Sequence, residues 1–396
     1  MRHISEILGL EQNNNTDRTK MLKEFVKSNE SRVFETLREL CAIPAPSNFE
    51  EDRAEYCKNW FENVGAENVY IDEALNVILP INCENSNKIT VFVAHTDTVF
   101  PDREPMPYVD DGEYIRCPGV GDDTASLVVL MYAAKYFIEN GIKPENGVMF
   151  VANSGEEGLG NLKGMKQLFA DYEGRIAQFI SFDSQFSLIA DRCVGSHRYE
   201  VEVLTEGGHS FGAFGNRNAI AELSRIVSKI YDIEVPKIGN SKTTYNVGSI
   251  SGGTSVNTIA QSAKILCEYR SDNEKCLATM KDKFEKIFAE ARERVLDLRI
   301  TPVGERPCMG EIDLTKIERL VKVCKNVIED VVDVKVETCS ISTDCNIPLS
   351  LGIPAICIGV YNGGASHTRE EWIEKASLPV GVEVGTRVVL DVLKEI

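Results

Sequence analysis

The sequence predicts an α/β chain, with a mixed central sheet flanked by helices and interrupted by a smaller α+β unit. Three observations carry this. Apolar, β-branched runs at Lys88–His95, Asn146–Ala152 and Gln178–Phe182 read as buried strands, and helix-length segments separate them. Polar and acidic residues recur just past the C-terminal end of each run, which is where an open α/β sheet places its site. After about Gly195 the pattern changes to strict alternation over Tyr199–Leu204, the mark of an antiparallel strand with one wet face.

Taken in order, a short first helix is expected to end at the polar run Asn13–Asp17, and a second to run from Met21 to Leu40, stopped by Pro44 and Pro46. Asn48–Val64 reads as a helix closed by Gly65, and Asn68–Ile71 with Asn76–Leu79 as a short strand pair. The strand ending at His95 follows, then a turn-rich loop over Pro101–Asp111. Gly119-Val-Gly-Asp-Asp-Thr124 leads into an apolar helix that ends near Asn140, with Gly141 as its stop. Past Gly195, strands at Tyr199–Leu204, Tyr245–Ile250, Ala263–Tyr269 and Leu298–Val303 alternate with helices at Ala219–Tyr231 and Asn273–Leu296, in the order β-α-β-β-α-β. After Pro307 the first character returns, with a helix Asp313–Asp330, strands Lys335–Cys339 and Ala355–Gly359, and a last helix Val380–Glu395. The expected organisation is a catalytic domain in two parts, 1–194 and 307–396, around an inserted lid or dimerisation domain, 195–306.

The 396 residues carry 61 acidic and 43 basic side chains, a net charge of −18 that disfavours nucleic acid and anionic membranes as partners. The longest apolar run, Leu127–Ala134, is far shorter than the ~20 residues that span a bilayer. The N-terminal stretch lacks the apolar core of a secretory signal, so a cytoplasmic location is expected. Twelve scattered cysteines with no Cys-x-x-Cys read as buried reduced thiols rather than a disulfide framework.

Chemistry concentrates at the strand ends. His95 and Asp97 lie two residues apart and project to one side of an extended chain. A ring held by a nearby carboxylate is a common metal-ligand arrangement, although a lone His-x-Asp is more often a satisfied polar loop. Asp122-Asp123, Glu156-Glu157, Asp183 and His367 occupy comparable positions, and the chain has only five histidines in all. Carboxylates crowded in a buried site repel one another unless a cation is present. Two divalent metals ~3.5–4 Å apart would resolve the repulsion and activate a water.

Eight segments together resemble the M20 family of two-zinc metallopeptidases, which includes peptidase T, acetylornithine deacetylase and succinyl-diaminopimelate desuccinylase. They are His95-Thr-Asp97, Gly119-Val-Gly-Asp122-Asp123, Ser154-Gly-Glu156-Glu157-Gly, Phe182-Asp183-Ser, Gly207-Gly-His209-Ser, Gly252-Gly-Thr-Ser-Val-Asn257, Tyr269-Arg270 and Ser366-His367-Thr-Arg-Glu-Glu371-Trp, in the family's order over nearly the whole chain. The resemblance implies a zinc-peptidase-like catalytic domain and two Zn2+, with Co2+ or Mn2+ as alternatives. By position, His95 and Asp183 would hold one metal, Glu157 and His367 the other, and Asp122 would bridge. Asp97 would orient the His95 ring, the Asp122–Asp123 peptide would be cis, and Glu156 would be the general base and acid acting on a metal-activated water. Adjacent side chains in extended backbone point apart, which would let Glu157 ligate while Glu156 faces the substrate. His209 would help stabilise the oxyanion in a neighbouring subunit's site, its bland alternative being a polar turn. Asn257 and Arg270 would hold the substrate's backbone or carboxylate, the alternative for Arg270 being a surface ion pair. Two departures stand out: Thr124, expected to cap the next helix, stands where the family often has Lys, and Gly155 stands where the peptidase T branch often has Asp. His3 and His197 match nothing and read as surface residues.

The function expected is hydrolysis of an amide bond, as an aminopeptidase on short peptides, with a homodimer formed through the inserted domain. Asp183 favours this, since in the family Asp at that place goes with aminopeptidases and Glu with carboxypeptidases and deacylases. The alternatives are an N-acyl amino acid deacylase on the same scaffold and, in another class, a non-catalytic peptide- or metal-binding protein. A two-metal phosphoesterase is disfavoured because the strand-end edge offers few cations apart from Arg270.

Overall fold

The computed structural model describes residues 2–84 and 86–394, with side chains from residue 18 onward. The chain divides into two compact units, one made of Met1–Asp191, Asp313–Cys339 and Ile353–Ile396, the other of Arg192–Ile312 and Ser340–Gly352.

An eight-stranded mixed sheet forms the first unit's centre. Its order is Tyr70–Ile71, Val77–Ile81, Gly147–Asn153, Ile89–His95, Ile176–Phe182, Ala355–Ile358, Leu188–Cys193 and Glu337–Ile341. The four middle strands run parallel, with His95 beside Asn153 and Ile358 beside Phe182. Their C-terminal ends therefore fall on one edge. Every residue of Ile89–His95 and Gly147–Asn153 is buried, as a parallel sheet covered on both faces requires. The helix Ser126–Glu139 is apolar almost all round because it packs inside the unit, against the helix Ser377–Lys394 and the strand ending at His95.

A continuous helix, Arg2–Cys41, replaces the expected break at Asn13–Asp17. That run contains neither Gly nor Pro, so no residue in it forbids helical geometry. The side chain of His3 and the residue Glu395 lie outside the described residues. The loop expected over Pro101–Asp111 contributes Val109–Asp110 to a small sheet, which continues through Tyr114–Arg116 and Trp372–Glu374 to Gly363–Gly364. Strands of two or three residues leave no readable period in the sequence.

The second unit has a four-stranded antiparallel sheet, in the order Thr243–Gly252, Ser262–Ser271, Gly195–Leu204 and Asp297–Arg306. The helices Ala219–Tyr231 and Glu274–Arg292 cover one face, and the core between includes Val201, Leu223, Ile226, Ile265, Tyr269 and Phe284. Asn218 caps the first helix by accepting from the Ile220 and Ala221 amides. Ser340–Gly352 groups with this unit, although the sequence reading places it in the returning part, 307–396. The Asn346 amide ties it there, donating to the Val194 and Pro307 carbonyls at 2.9 Å each. His197 is also more enclosed than the surface position expected of it, stacked on Tyr269 with ring centroids 5.1 Å apart. All twelve cysteines are free, and all but Cys339 are buried.

Candidate metal centre

Five of the residues singled out by sequence converge at the C-terminal edge of the parallel strands. The ligand atoms of His95, Asp122 and Asp183 lie within 4.8 Å of one another, as do those of Asp122, Glu157 and His367. Asp122 belongs to both groups. Its Oδ1 is 3.1 Å from His95 Nε2 and its Oδ2 is 3.0 Å from His367 Nε2, so one carboxylate faces both imidazoles. His367 Nε2 is also 3.1 Å from Glu157 Oε1.

Local structure explains these placements. His95 and Asp183 sit at or just past the ends of neighbouring parallel strands. The Asp122–Asp123 peptide is cis. The Asp123 carboxylate accepts from the His95 amide at 2.8 Å, joining this turn to the strand end. His367 stands on the connection between Gly363–Gly364 and Trp372–Glu374, with its side chain 56% exposed. Behind His95, the buried Arg53 guanidinium donates to the carbonyls of Thr96 (2.8 Å), Leu40 (2.8 Å) and Ile43 (2.9 Å), anchoring the segment that leads to Asp97. Thr124 does not cap the next helix. Its hydroxyl donates to the Gly119 carbonyl at 2.6 Å, inside its own turn.

Asp97 contacts both the His95 ring and the segment of the paired glutamates. His95 Nδ1 is nearest the Asp97 backbone carbonyl, at 2.9 Å, and 3.5 Å from the carboxylate. The carboxylate accepts from the Glu156 amide at 2.9 Å, the Glu157 amide at 3.0 Å and the Ser47 hydroxyl at 2.6 Å. It therefore sets the backbone of the paired glutamates. Those glutamates do not point apart. Glu156 and Glu157 are each 5% exposed, and the ligand atoms of both come within 4.8 Å of one another and of His95. The tight turn around them turns both carboxylates the same way. Gly155 has φ +66°, and a Cβ there would meet Lys163 Cγ at 2.5 Å, so an Asp at this place would be strained and would have to displace the lysine stem. Lys163 in turn pairs with the buried Glu50 at 2.8 Å.

The electrostatics are those of a carboxylate cluster short of positive charge. Burial, with the Asp123 and Asp122 charges beside it, raises the Asp183 carboxyl well above its usual range. Burial likewise pushes Glu157 up to about 7, with Asp122 and Glu156 adding to the effect and His367 opposing it. Asp122, despite its burial, is held low by hydrogen bonds from His367 and His95. Hydrogen bonds to Asp122 and Glu157, with the charges of both, push His367 up to about 10. Glu157 Oε1 is buried and makes no well-directed hydrogen bond. The donor set therefore fits divalent cations: imidazole nitrogens and carboxylate oxygens face one another at 3.0–3.1 Å, and a cation would satisfy both.

His209, Asn257 and Arg270 belong to the second unit. His209 pairs with Thr258 across a two-residue bridge, and the Ser210 amide donates to the Asn257 carbonyl at 2.9 Å, so these two residues share one corner. His209 Nδ1 accepts from the Phe211 and Gly212 amides at 3.3 and 3.2 Å. Arg270 stands apart from them and grips Glu268 through two bonds, at 2.8 and 3.0 Å. Sequence reasoning missed Ser47 and Arg53. Their contacts to the strand-end segments reach 43 to 110 residues along the chain, and neither lies in a segment with a chemical signature.

The sequence model of peptidase family M20/M25/M40 matches residues 91–391. The uncharacterized protein YqjE of Bacillus subtilis (strain 168) is 26% identical over 287 residues, which is 66% of this chain and 72% of that one. Among solved structures, an aminopeptidase PepT from Bacillus cereus ATCC 10987 is similar with a TM-score of 0.70 and 21% identity, covering 92% of this chain and 99% of that one. A tripeptidase from Staphylococcus aureus subsp. aureus mu50 is similar with a TM-score of 0.74 and 20% identity, covering 93% and 99%.

Proposed function

The chain belongs to peptidase family M20/M25/M40 and is a hydrolase, and we propose that it is a two-metal aminopeptidase acting on short peptides. The observation that carries this reading is Asp122, with one carboxylate oxygen facing each of two histidines. His95 and Asp183 would hold one divalent ion, Glu157 and His367 the other, and Asp122 both, with zinc as the first expectation. Ions bound there would polarise the scissile carbonyl and make a water more acidic. Glu156 would take the proton from the attacking water and return it to the leaving amine. Its backbone is held for this by the Asp97 carboxylate.

Support for a free amino terminus on the substrate is twofold: the residue after the Ile176–Phe182 strand is Asp183 rather than Glu, and solved structures similar to this chain include an aminopeptidase and a tripeptidase. We assign the second unit to substrate enclosure and to pairing of two copies. Phe211 and Phe214, each 90% exposed, stand two and five residues beyond His209 and support that assignment.

The test is a chelator-controlled panel of di- and tripeptides with free or blocked ends, alongside N-acyl amino acids. Metal-dependent release of the first residue from free tripeptides is expected. Release of acyl groups with no action on free peptides would overturn the aminopeptidase reading in favour of the deacylase.

A further inference from the structure

Glu371 is 1% exposed, and its carboxylate is held by backbone amides. Oε2 accepts from Gly119 at 2.9 Å, and Oε1 accepts from Gly121 at 2.9 Å and from Asp122 at 2.8 Å. Its carbonyl accepts from the Cys117 amide at 3.2 Å, and the next residue, Trp372, pairs with Arg116. A buried carboxylate is costly unless its lone pairs are satisfied. Here three amides satisfy it, and all three belong to the turn that carries Asp122.

The two glycines of that turn are also closely packed. A Cβ on Gly121 would lie 2.9 Å from the Tyr361 ring and hydroxyl, and a Cβ on Gly119 would lie 2.7 Å from Thr98 Cγ2. The turn is therefore packed closely against Tyr361 and Thr98 as well as held by Glu371. Glu371 is also only four residues past His367, on the same connection between short strands. One side chain thus joins the backbone of Asp122 to the segment that bears His367. The same connection is tied down separately by Arg369, which pairs with Asp102 at 2.6 Å, and by the pairing of Trp372 with Arg116, neither of which reaches the Asp122 turn.

We propose that Glu371 is a positioning residue of the metal centre, setting the separation of Asp122 and His367 and so the affinity for the ion those two residues share. The proposal rests on the two-metal reading. Partners that orient metal ligands in this way are worth about 10- to 100-fold in metal affinity or activity. Glu371→Gln keeps the size of the side chain but turns a donor toward one of the three amides.

The experiment is a Co2+ titration of the chelator-stripped full chain, followed by its visible absorption and checked by circular dichroism. Wild-type protein is expected to take up two Co2+. Folded Glu371→Gln is expected to bind the second about 10-fold more weakly or worse, with kcat lowered and KM little changed. Glu371→Asp, which keeps the charge on a shorter stem, is expected to recover part of the loss. Two Co2+ bound by Glu371→Gln with wild-type affinity would overturn the proposal. If Glu371→Gln does not fold, Glu371→Asp is judged by the same criterion, and failure of both to fold makes Glu371 a residue of stability only. Wild-type protein that takes up fewer than two Co2+ would sink the two-metal reading itself, an outcome seen separately from any effect of the variants.

Discussion

Asp97 and Glu156 show how much one side chain can decide. The Asp97 carboxylate collects the amides of both glutamates and the Ser47 hydroxyl, while its backbone carbonyl holds the His95 ring. Asp97→Asn places an amide donor against one of those amides. It should weaken metal binding about 10- to 100-fold with the fold retained, as read by metal content after dialysis and by circular dichroism. Wild-type metal retention would show that the backbone carbonyl alone suffices. Glu156 poses a different question, since its carboxylate also reaches the cluster. If it moves the proton, Glu156→Gln lowers kcat about 100- to 10,000-fold with unchanged metal content. Loss of a metal together with activity would make it a ligand instead.

At the scale of elements, the edge that carries the site depends on close helix–strand contact. Gly381, in the helix Ser377–Lys394, lies where an added Cβ would stand 2.0 Å from the Val360 carbonyl, just past the strand Ala355–Ile358. The Val360 amide in turn donates to the Ser184 carbonyl, next to Asp183. Ala is intrinsically better than Gly within a helix by about 1 kcal/mol, but overpacking typically costs about 1–3 kcal/mol. Contact with backbone leaves no flexible side chain to give way, so the clash should win. Gly381→Ala is expected to lower the unfolding midpoint in urea. An unchanged or raised midpoint would mean that the helix can shift without cost. The small sheet of Val109–Asp110, Tyr114–Arg116, Gly363–Gly364 and Trp372–Glu374 matters too: its connection from Gly364 to Trp372 carries His367 and Glu371 to the Asp122 turn.

For the whole molecule, the strand-end cluster is both the site and a liability. Asp183, Asp123 and Glu157 are all raised by burial, so their ionised forms weaken the folded state unless positive charge offsets them. Bound metal should therefore add to global stability, by about 4 kcal/mol when free metal is 1,000-fold above its dissociation constant. Calorimetry should show the melting temperature falling on chelation and returning when Zn2+ is restored. A melting temperature indifferent to chelator would argue against tight metal binding at the cluster. No helix among the described residues is long and apolar enough to cross a membrane.

The sequence by itself determined the class of fold, because period and run length report burial directly. The mostly apolar run Ile89–His95 reads as a buried strand, and alternating Tyr199–Leu204 as a strand with one wet face. It also marked the strand-end carboxylates and histidines, among which the family resemblance singled out His95, Asp122, Glu157, Asp183 and His367. Tertiary structure alone decided how these groups are held. Asp97 grips residues 59 and 60 positions away, Ser47 reaches Asp97 across 50, and Glu371 reaches the Asp122 turn across about 250. Asp97 and Glu371 make their contacts to backbone amides, which every residue but proline possesses, so no pattern of side chains announces them.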